Sequence, residues 1–295
     1  MKFSILINSY NYAEFVSAAI LSALSQEYEN TEVIIYDDGS SDGSPQIIRE
    51  FSSSCTVLLN ENFGAAANWN QLNAIQKAFE VSSGDYICLL DADDVFMPNK
   101  ICKIKEVINS VPGVDMIQHP MLEIDATGRP SGRVRPFLVS AKPKQAIFDY
   151  GNLLFLCSQT SGLTFSRKFL ETFLPMDRDE FSLVWADVRL SRLACMFGNV
   201  VTLKEPLGSY RIHAKNDSNK LNDRKVLCQA IEQQYLYSNQ ELKCRGLTEL
   251  VVPRPVIDAE IGIFRRTLWF LSAMKIADVL RLLIYMVRLK YLKWR

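Results

Sequence analysis

The sequence predicts an α/β fold in which a mainly parallel central sheet is flanked by helices and followed by a C-terminal helical extension. Three observations support this prediction. Apolar strand-like runs alternate with helix-like segments through about residue 110, polar residues gather where those strands end, and a basic and aromatic segment closes the chain. Alternation of apolar strands with helices is typical of parallel sheets that are covered on both faces.

Four strand–helix pairs account for the regular first half of the chain. Each strand is a short apolar run, and two of the helices begin at Pro45 and Pro98, a residue that the first turn of a helix accepts. The expected order is strand 3–7, helix 13–25, strand 32–36, helix 45–51, strand 56–59, helix 65–81, strand 86–90 and helix 98–108.

After Pro112 the alternation is less regular, and residues 119–144 are expected to be rich in turns. Pro253-Arg254-Pro255 is expected to separate the last long helix from a tail. The further expected elements are strand 114–118, helix 146–155, strand 163–165, helix 181–197, strands 200–203 and 208–212, and helix 221–243.

Bulk composition excludes several classes of protein. Among 295 residues, 33 Lys and Arg balance 33 Asp and Glu, so no overall positive field indicates a nucleic-acid partner. The seven cysteines are odd in number and form no C-x-x-C pair, which favours reduced, buried thiols in a cytoplasmic protein. No apolar run reaches the roughly 18 residues of a membrane span, and the first strand starts too early for a secretory signal.

Three carboxylates stand within four positions directly after the fourth apolar run. The run Tyr86-Ile87-Cys88-Leu89-Leu90 leads into Asp91-Ala92-Asp93-Asp94. So much negative charge at a buried strand end is costly unless a cation neutralises it. Mg²⁺ and Mn²⁺ prefer oxygen ligands, and Mg²⁺ is usually held by one or two carboxylates together with substrate phosphates. The cluster therefore predicts a metal–diphosphate site, with a solvated, helix-capping turn as the alternative.

Polar segments also follow the first two strands, as Asn8-Ser9-Tyr10-Asn11 and Asp37-Asp38-Gly39-Ser40-Ser41-Asp42. Ligands of parallel sheets bind beyond the C-terminal strand ends, and neighbouring strands lie only about 4.8 Å apart, so the three polar groups should converge. Asp42 is expected to cap the next helix. Asp38 is placed to accept hydrogen bonds from a base or from ribose hydroxyls.

Four motifs, taken in order, carry a family resemblance. They are Ile5-Leu6-Ile7-Asn8-Ser9-Tyr10-Asn11, Asp37-Asp38-Gly39-Ser40-Ser41-Asp42, Asn60-Glu61-Asn62-Phe63-Gly64, and Gly84-Asp85-Tyr86 leading into Asp91-Ala92-Asp93-Asp94. Together they resemble a bacterial-type family 2 glycosyltransferase with the Rossmann-like GT-A fold, over residues 1 to about 220. The resemblance implies a catalytic domain over 1–220, with a nucleotide-binding half (1–110) and an acceptor-side half (111–220), before a helical extension over 221–295.

The resemblance also implies a nucleoside site at the first two strand ends. Asp38 would contact the nucleoside, and Asn8 to Tyr10 would line the base pocket, although family members commonly carry Pro where this chain has Asn8. The loop that ends at Gly64 would lie against the nucleotide, the alternative being a plain loop before a helix.

A divalent cation, Mg²⁺ or Mn²⁺, and a nucleotide-sugar donor, in the first place a UDP-sugar, follow from the same resemblance. Asp91 would hold the ribose and Asp93 the metal. The segment Tyr210-Arg211-Ile212-His213 matches a family segment in which a basic residue and a His face the diphosphate and metal. Arg211 is therefore expected at the diphosphate and His213 at the metal, with a structural role as the alternative for His213.

Asp187 is the candidate general base, since Trp185-Ala186-Asp187-Val188-Arg189-Leu190 resembles the Glu-Asp segment of the family. An acceptor hydroxyl has a pKa far above neutrality and must lose its proton as it attacks the anomeric carbon. The alternative is an Asp that merely stabilises a helix start. The family often carries Glu at the place of Ala186, so acceptor recognition or base orientation is expected to differ here.

These roles predict an inverting, metal-dependent glycosyltransferase that moves a sugar to an acceptor hydroxyl by a single displacement. The acceptor would be a saccharide or lipid-linked saccharide, in cell-surface polysaccharide or glycolipid synthesis. Two alternatives remain open. One is a non-catalytic nucleotide-sugar-binding protein, which Ala186 supports. The other is a nucleotidyltransferase, which typically begins with a Gly-rich phosphate loop rather than with Asn8-Ser9-Tyr10-Asn11.

The tail, residues 261–295, carries eight Lys or Arg against one acid, Asp278, interleaved with aromatic and aliphatic residues. This pattern predicts a basic amphipathic helix on an anionic membrane surface, and so a cytoplasmic protein peripheral to the inner membrane face. Helices packed on the catalytic domain, or on another subunit of a homo-oligomer, are the alternative.

Overall fold

The computed structural model of the protein describes residues 1–135, 157–216 and 223–250. The helix expected at 146–155, the break at residues 253–255 and the basic tail 261–295 lie outside these ranges. The described elements are, in chain order, β1 (Phe3–Ser9), α1 (Val16–Leu24), β2 (Thr31–Asp37), α2 (Ser44–Glu50), β3 (Thr56–Leu59), α3 (Ala67–Val81), β4 (Tyr86–Asp91), β5 (Val95–Phe96), α4 (Lys100–Ser110), β6 (Met116–Gln118), β7 (Met121–Asp125), β8 (Pro130–Arg135), β9 (Leu163–Ser166), α5 (Arg167–Phe173), α6 (Ala186–Phe197), β10 (Val200–Thr202), β11 (Gly208–Ile212) and α7 (Arg224–Lys243).

The larger of two sheets has seven strands in the order β10-β6-β9-β4-β1-β2-β3. β1 lies between β2 and β4 and runs parallel to both. β3 pairs in parallel with β2, and β10 with β6, whereas β9 is antiparallel to both of its neighbours. This mainly parallel sheet with helices around it confirms the α/β class expected from the sequence.

Apolar side chains fill both faces of the larger sheet. Because successive residues of a strand point to opposite faces, Leu6 and Leu89 pack with α3 and α6, while Ile5 and Leu90 pack with α1 and α4. This two-sided burial explains why β1 and β4 are almost continuously apolar in sequence. It also leaves the strand ends as the natural place for polar function.

A second sheet, with the order β5-β11-β7-β8, contradicts the turn-rich segment expected over 119–144. Residues 121–125 and 130–135 are strands that form an antiparallel pair around a turn with Gly128 at φ 86°. They are short and partly exposed, so they lack the apolar runs by which the strands of the larger sheet are recognised. β11 pairs with β7 and β5, which brings 208–212 beside the acidic turn that follows β4.

The helix expected over 181–197 begins only at Ala186. The amide of Asn68, on α3, donates to the carbonyls of Phe181 and Val184 at 3.2 and 3.3 Å. A side chain thus satisfies backbone groups that a longer helix would have paired internally. The consequence is that residue 187 lies in the first turn of α6.

Helix α7 confirms the helix expected over 221–243, with a later start. It packs on α6, where Arg192 Nε donates to Ser238 Oγ at 2.7 Å, and on the segment before α6, where the rings of Phe181 and Tyr237 meet edge to face at 5.9 Å. The cysteines that can be assessed in the described ranges are free thiols. The expected burial holds for Cys88 and Cys195 only: Cys244 is exposed, and the others are half-buried. None of the helices in those ranges is long and apolar enough to cross a membrane.

Candidate active site

The carboxyl ends of β1, β2 and β4 meet at one edge of the larger sheet. In the strand register Asn8 lies opposite Asp91 on one side and Tyr36 on the other, and Ser9 lies opposite Asp37. The backbone N–H of Asp38 continues this pairing to the carbonyl of Ser9 at 3.0 Å. The polar segments that follow these strands therefore converge, as the sequence predicts.

Asp91, Asp93 and Asp94 each offer a carboxylate oxygen, and the three oxygens lie within 4.8 Å of one another. Asp94 is wholly buried, and both its oxygens have protein donors: the Ser161 hydroxyl at 2.6 Å and the Arg211 backbone N–H at 2.9 Å. Burial and the charges of the other two carboxylates raise the pKa of Asp94 well above its ordinary value. Asp94 is thus tied into the protein, and Asp91 and Asp93 remain as oxygen donors for a ligand.

Two side-chain amides converge on Asp91. Asn8 Nδ2 and Gln71 Nε2 donate to its Oδ1 at 2.9 and 3.1 Å. The amide oxygens of both residues are buried and have no hydrogen-bond partner in the described protein. Burial, followed by the charges of Asp93 and Asp187, raises the pKa of Asp91 to about 7, and the two amides act in the opposite direction. A Pro in place of Asn8 would lack this contact.

His213 faces Asp93, with Nε2 2.9 Å from Oδ2. Asn216 fixes this pair, because its Oδ1 accepts the His213 backbone N–H at 2.6 Å while its Nδ2 lies 3.4 Å from the same Asp93 oxygen. The backbone N–H of Lys215 donates to His213 Nδ1 at 3.2 Å, which favours a ring proton on Nε2, donated to Asp93. Metal ligation through Nε2 would require this proton to leave.

The Arg211 guanidinium is turned inward. Its Nε donates to the Asp93 carbonyl at 2.8 Å, and its Nη1 to the carbonyls of Asp125 and Ala126 at 3.3 and 3.2 Å. The group lies 5.0 Å from the centroid of the Phe15 ring. In this state Arg211 braces the acidic turn against the second sheet, and the diphosphate contact expected for it stays a prediction.

Asp38 lies under the loop that carries Gly64. Its two carboxylate oxygens accept the Phe63 backbone N–H and the Asn62 amide, both at 3.0 Å. Burial raises the pKa of Asp38, while the bond from Phe63 acts in the opposite direction. Gly64 has φ 73°, and the rings of Tyr10 and Phe63 are largely exposed, which suits stacking with a planar base.

We expect Gly39→Ala to disrupt this loop. A Cβ there would lie 2.3 Å from the Asn62 backbone N, at a φ of 71°. The left-handed backbone alone costs about 1–2 kcal/mol and the overlap about 1–3 kcal/mol more. Urea unfolding should show the combined loss, and nucleotide titration a weaker affinity. Gly113→Ala is the matched control, since Gly113 has φ 69° and open space around it. Equal losses in the two variants would contradict the prediction.

Asp187 lies in the first turn of α6 and is partly buried. Its Oδ1 accepts the Val188 backbone N–H at 2.7 Å. Burial raises the pKa of Asp187 to about 6, although backbone N–H groups of residues 187, 188 and 160 act in the opposite direction. Gln71 Nε2 donates to Asp91 Oδ1 at 3.1 Å and to Thr160 Oγ1 at 3.2 Å, and the Thr160 backbone N–H bonds to Asp187, so the two carboxylates belong to one site. Ala186 is wholly buried in the core and offers that site no polar group.

A buried ion pair supports the start of α6. Arg189 donates from Nη1 and Nη2 to the two carboxylate oxygens of Asp179. Its Nε donates to the Val184 carbonyl at 2.9 Å. The guanidinium also lies 4.6 Å from the centroid of the Trp69 ring. This pair fixes the segment that delivers Asp187.

Sequence reasoning missed several residues that the fold brings to the site. They belong to no motif, because each reaches the site through a tertiary contact rather than through its neighbours in sequence. These residues are Gln71, Thr160, Ser161 and Asn216.

The donor set fits a hard divalent cation. Asp91 and Asp93 supply carboxylate oxygens at one point, and His213 supplies an imidazole beside them. Mg²⁺ and Mn²⁺ accept carboxylates and complete their coordination with water or substrate phosphate. The residues that could hold such a cation are therefore Asp91, Asp93 and His213.

Comparison with known proteins gives a consistent picture. The family model described as Glycosyl transferase family 2 matches residues 4–172, more than half of the 295 residues. An uncharacterized glycosyltransferase of Nostoc sp. is 34% identical over 221 residues, which are 74% of this chain and 66% of that protein. The Escherichia coli UDP-Glc:alpha-D-GlcNAc-diphosphoundecaprenol beta-1,3-glucosyltransferase WfgD is 38% identical over 98 residues, 33% of this chain and 37% of that protein. The matches thus span two thirds or less of these relatives.

A solved structure shows the same fold. The mannosyltransferase PcManGT from Pyrobaculum calidifontis, in complex with GDP-Man and Mn²⁺, superposes with a TM-score of 0.60 at 15% identity, over 81% of this chain and 64% of that chain. At this level of identity the likeness concerns the fold alone, which is GT-A.

Proposed function

Because the chain belongs to glycosyl transferase family 2, we propose that it transfers a sugar from a nucleoside-diphosphate sugar to an acceptor hydroxyl, with inversion at the anomeric carbon. One observation carries the proposal: Gln71 and Thr160 connect the candidate base Asp187 to Asp91, one of the three clustered carboxylates expected to bind the donor and metal. A protein that binds the donor without catalysis would need the donor-binding carboxylates but no general base beside them.

The donor would enter at the ends of β1, β2 and β4. Asp38 would take the nucleoside, beside the exposed rings of Tyr10 and Phe63, and Asp91 would take the ribose. The unpartnered amide oxygens of Asn8 and Gln71 offer acceptors to donor hydroxyls. Such buried acceptors are costly in the free protein, so a hydroxyl-bearing ligand that satisfies them gains affinity.

Mg²⁺ or Mn²⁺, held by Asp93 with Asp91 and His213, would neutralise the charge that develops on the departing nucleoside diphosphate. Asp187 would remove the proton of the acceptor hydroxyl as its oxygen attacks the anomeric carbon. Arg211 would keep the acidic turn in place through its bond to the Asp93 carbonyl and would meet the diphosphate if its guanidinium turns outward. Attack opposite the leaving group inverts the anomeric centre.

A UDP-sugar as donor and a lipid-linked saccharide as acceptor are supported by WfgD, whose name records both. The basic segment 261–295 suits such an acceptor, because clustered Lys and Arg bind anionic lipid surfaces. We therefore propose that the protein acts at the inner face of the cell membrane. Residues 1–220 would form the catalytic domain, and 221–295 the helical extension.

A thermal-shift screen of nucleoside diphosphates and nucleotide sugars, with and without Mn²⁺, tests the donor site. A ligand at 100 times its Kd should stabilise the protein by about 2.7 kcal/mol, and one nucleoside should do so best and in a Mn²⁺-dependent way. Transfer of radiolabelled sugar from that donor to a lipid extract then tests catalysis. Equal stabilisation by all nucleotides, with no effect of Mn²⁺, would count against the proposed site.

The rate of transfer should fall below about pH 6. Burial raises the pKa of Asp187 to about 6, so the base is deprotonated above that pH and protonated below it. Below pH 6, kcat/KM for the acceptor at saturating donor and Mn²⁺ should drop about tenfold per pH unit, because kcat/KM reports the protonation of the base before the acceptor binds. The measurement is a pH–rate profile from pH 5 to 8. A rate that stays constant down to pH 5 would contradict the role of Asp187.

A further inference from the structure

The hydroxyl of Ser161 joins the two ends of the acidic turn. It accepts the Asp91 backbone N–H at 3.1 Å and donates to Asp94 Oδ2 at 2.6 Å. Ser161 is wholly buried, in a short 3₁₀ turn over Thr160–Gly162 that leads into β9. One side chain therefore binds both the last residue of β4 and the carboxylate three residues later.

A buried lysine side chain binds the backbone of Ser161. Lys100, at the start of α4, donates from Nζ to the Ser161 carbonyl at 2.8 Å. The Lys100 side chain is fully buried, and its Nζ lies 3.4 Å from the centroid of the Phe96 ring. The backbone of Ser161 is thus held by α4, an element outside the acidic turn.

The other contact of Asp94 comes from the second sheet, where the Arg211 backbone N–H donates to Oδ1 at 2.9 Å. Asp94 consequently connects Ser161 to β11. Asp93 lies on the turn between Asp91 and Asp94, the two residues that Ser161 binds. Loss of the Ser161 hydroxyl would remove two hydrogen bonds together, the one to Asp94 Oδ2 and the one from the Asp91 N–H.

We propose that Ser161, held by Lys100, is a positioning residue that sets Asp91 and Asp93 in the geometry needed for Mg²⁺ or Mn²⁺, acting through Asp94. This inference rests on the metal-dependent function proposed above. Partners that orient metal ligands are worth about 10- to 100-fold in metal affinity. Ser161 acts without touching the cation.

Ser161→Ala tests the proposal. Mn²⁺ titration of the full-length protein, with free Mn²⁺ followed by electron paramagnetic resonance, should give a Kd raised at least about tenfold. Ser158→Ala is the matched control: Ser158 is also buried, in the same segment, and its hydroxyl donates to the His119 carbonyl at 2.7 Å. Its Kd for Mn²⁺ should equal that of the wild type.

The transfer rate provides a second readout. In Ser161→Ala the Mn²⁺ concentration for half-maximal rate should rise, and saturating Mn²⁺ should restore most of kcat. A purely structural role would lower the active fraction without moving that midpoint. If Ser161→Ala fails to fold, Ser161→Cys keeps the shape with only a weak donor and should show the same direction of change.

Equal Mn²⁺ affinity in Ser161→Ala and Ser158→Ala, with binding retained in the wild type, would overturn the inference and leave the proposed function standing. A wild-type protein that binds no Mn²⁺, with or without a nucleoside diphosphate, would overturn both.

Discussion

Asp187→Asn should lose about 10²- to 10⁴-fold in kcat, the usual contribution of a general base, while it still binds the donor. The substitution keeps the shape of the side chain and the oxygen that accepts the Val188 N–H, but it removes the proton acceptor. Calorimetric titration with nucleotide sugar and Mn²⁺ should give a Kd close to that of the wild type. Loss of turnover with binding retained is the signature of a base that acts on the acceptor.

Asp177→Asn is the matched control for this variant, because Asp177 is an exposed carboxylate in the segment that leads to α6. It should keep wild-type kcat. Unchanged turnover in Asp187→Asn would refute the base role. It would favour the alternative that Ala186 supports, a protein that binds the nucleotide sugar without catalysis.

Asp93→Asn should remove the effect of Mn²⁺ on both stability and transfer. The metal is expected to contribute several kcal/mol at the departing diphosphate, so the rate should fall by at least about 10²-fold even at saturating donor. The variant also loses the charge that His213 faces at 2.9 Å. Mn²⁺ titration and transfer assays across a range of Mn²⁺ concentrations provide the measurements.

The control for Asp93→Asn is a carboxylate at the opposite end of β4, the strand that Asp93 follows. Asp85 precedes β4 and is exposed, with 64% of its side chain accessible, so Asp85→Asn should leave Mn²⁺ binding and kcat unchanged. If Asp93→Asn binds Mn²⁺ as tightly as Asp85→Asn does, then the metal is held elsewhere or is not required. A nucleoside diphosphate added to both variants would separate these two outcomes.

Much of the first half of the fold could be predicted from sequence, because its signals are local. β1, β2 and β4 are buried on both faces and so appear as apolar runs, and their polar ends follow directly along the chain. The second sheet could not be predicted in this way. β7 and β8 are short and half exposed, and the pairing of β7 with β11 joins residues that are 87 positions apart, such as Leu122 and Ser209.

The start of α6 is another case in which local sequence was insufficient. Residues 181–185 have helix-compatible composition, but the carbonyls of Phe181 and Val184 accept from the side chains of Asn68 and Arg189. Such capture depends on the packing of α3 against α6, which no local pattern records. The correction matters for function, since it places Asp187 in the first turn of the helix.

The sequence by itself determined the α/β class, the three polar strand ends and the acidic cluster, because a parallel sheet forces successive strand ends to one edge. Only the tertiary structure decided how the carboxylates differ. Both oxygens of Asp94 accept hydrogen bonds, from Ser161 and from Arg211. Asp93 lies 2.9 Å from His213, and the charge of Asp187 contributes to the raised pKa of Asp91. These differences come from burial and from partners distant in sequence, and both arise only when the chain is packed.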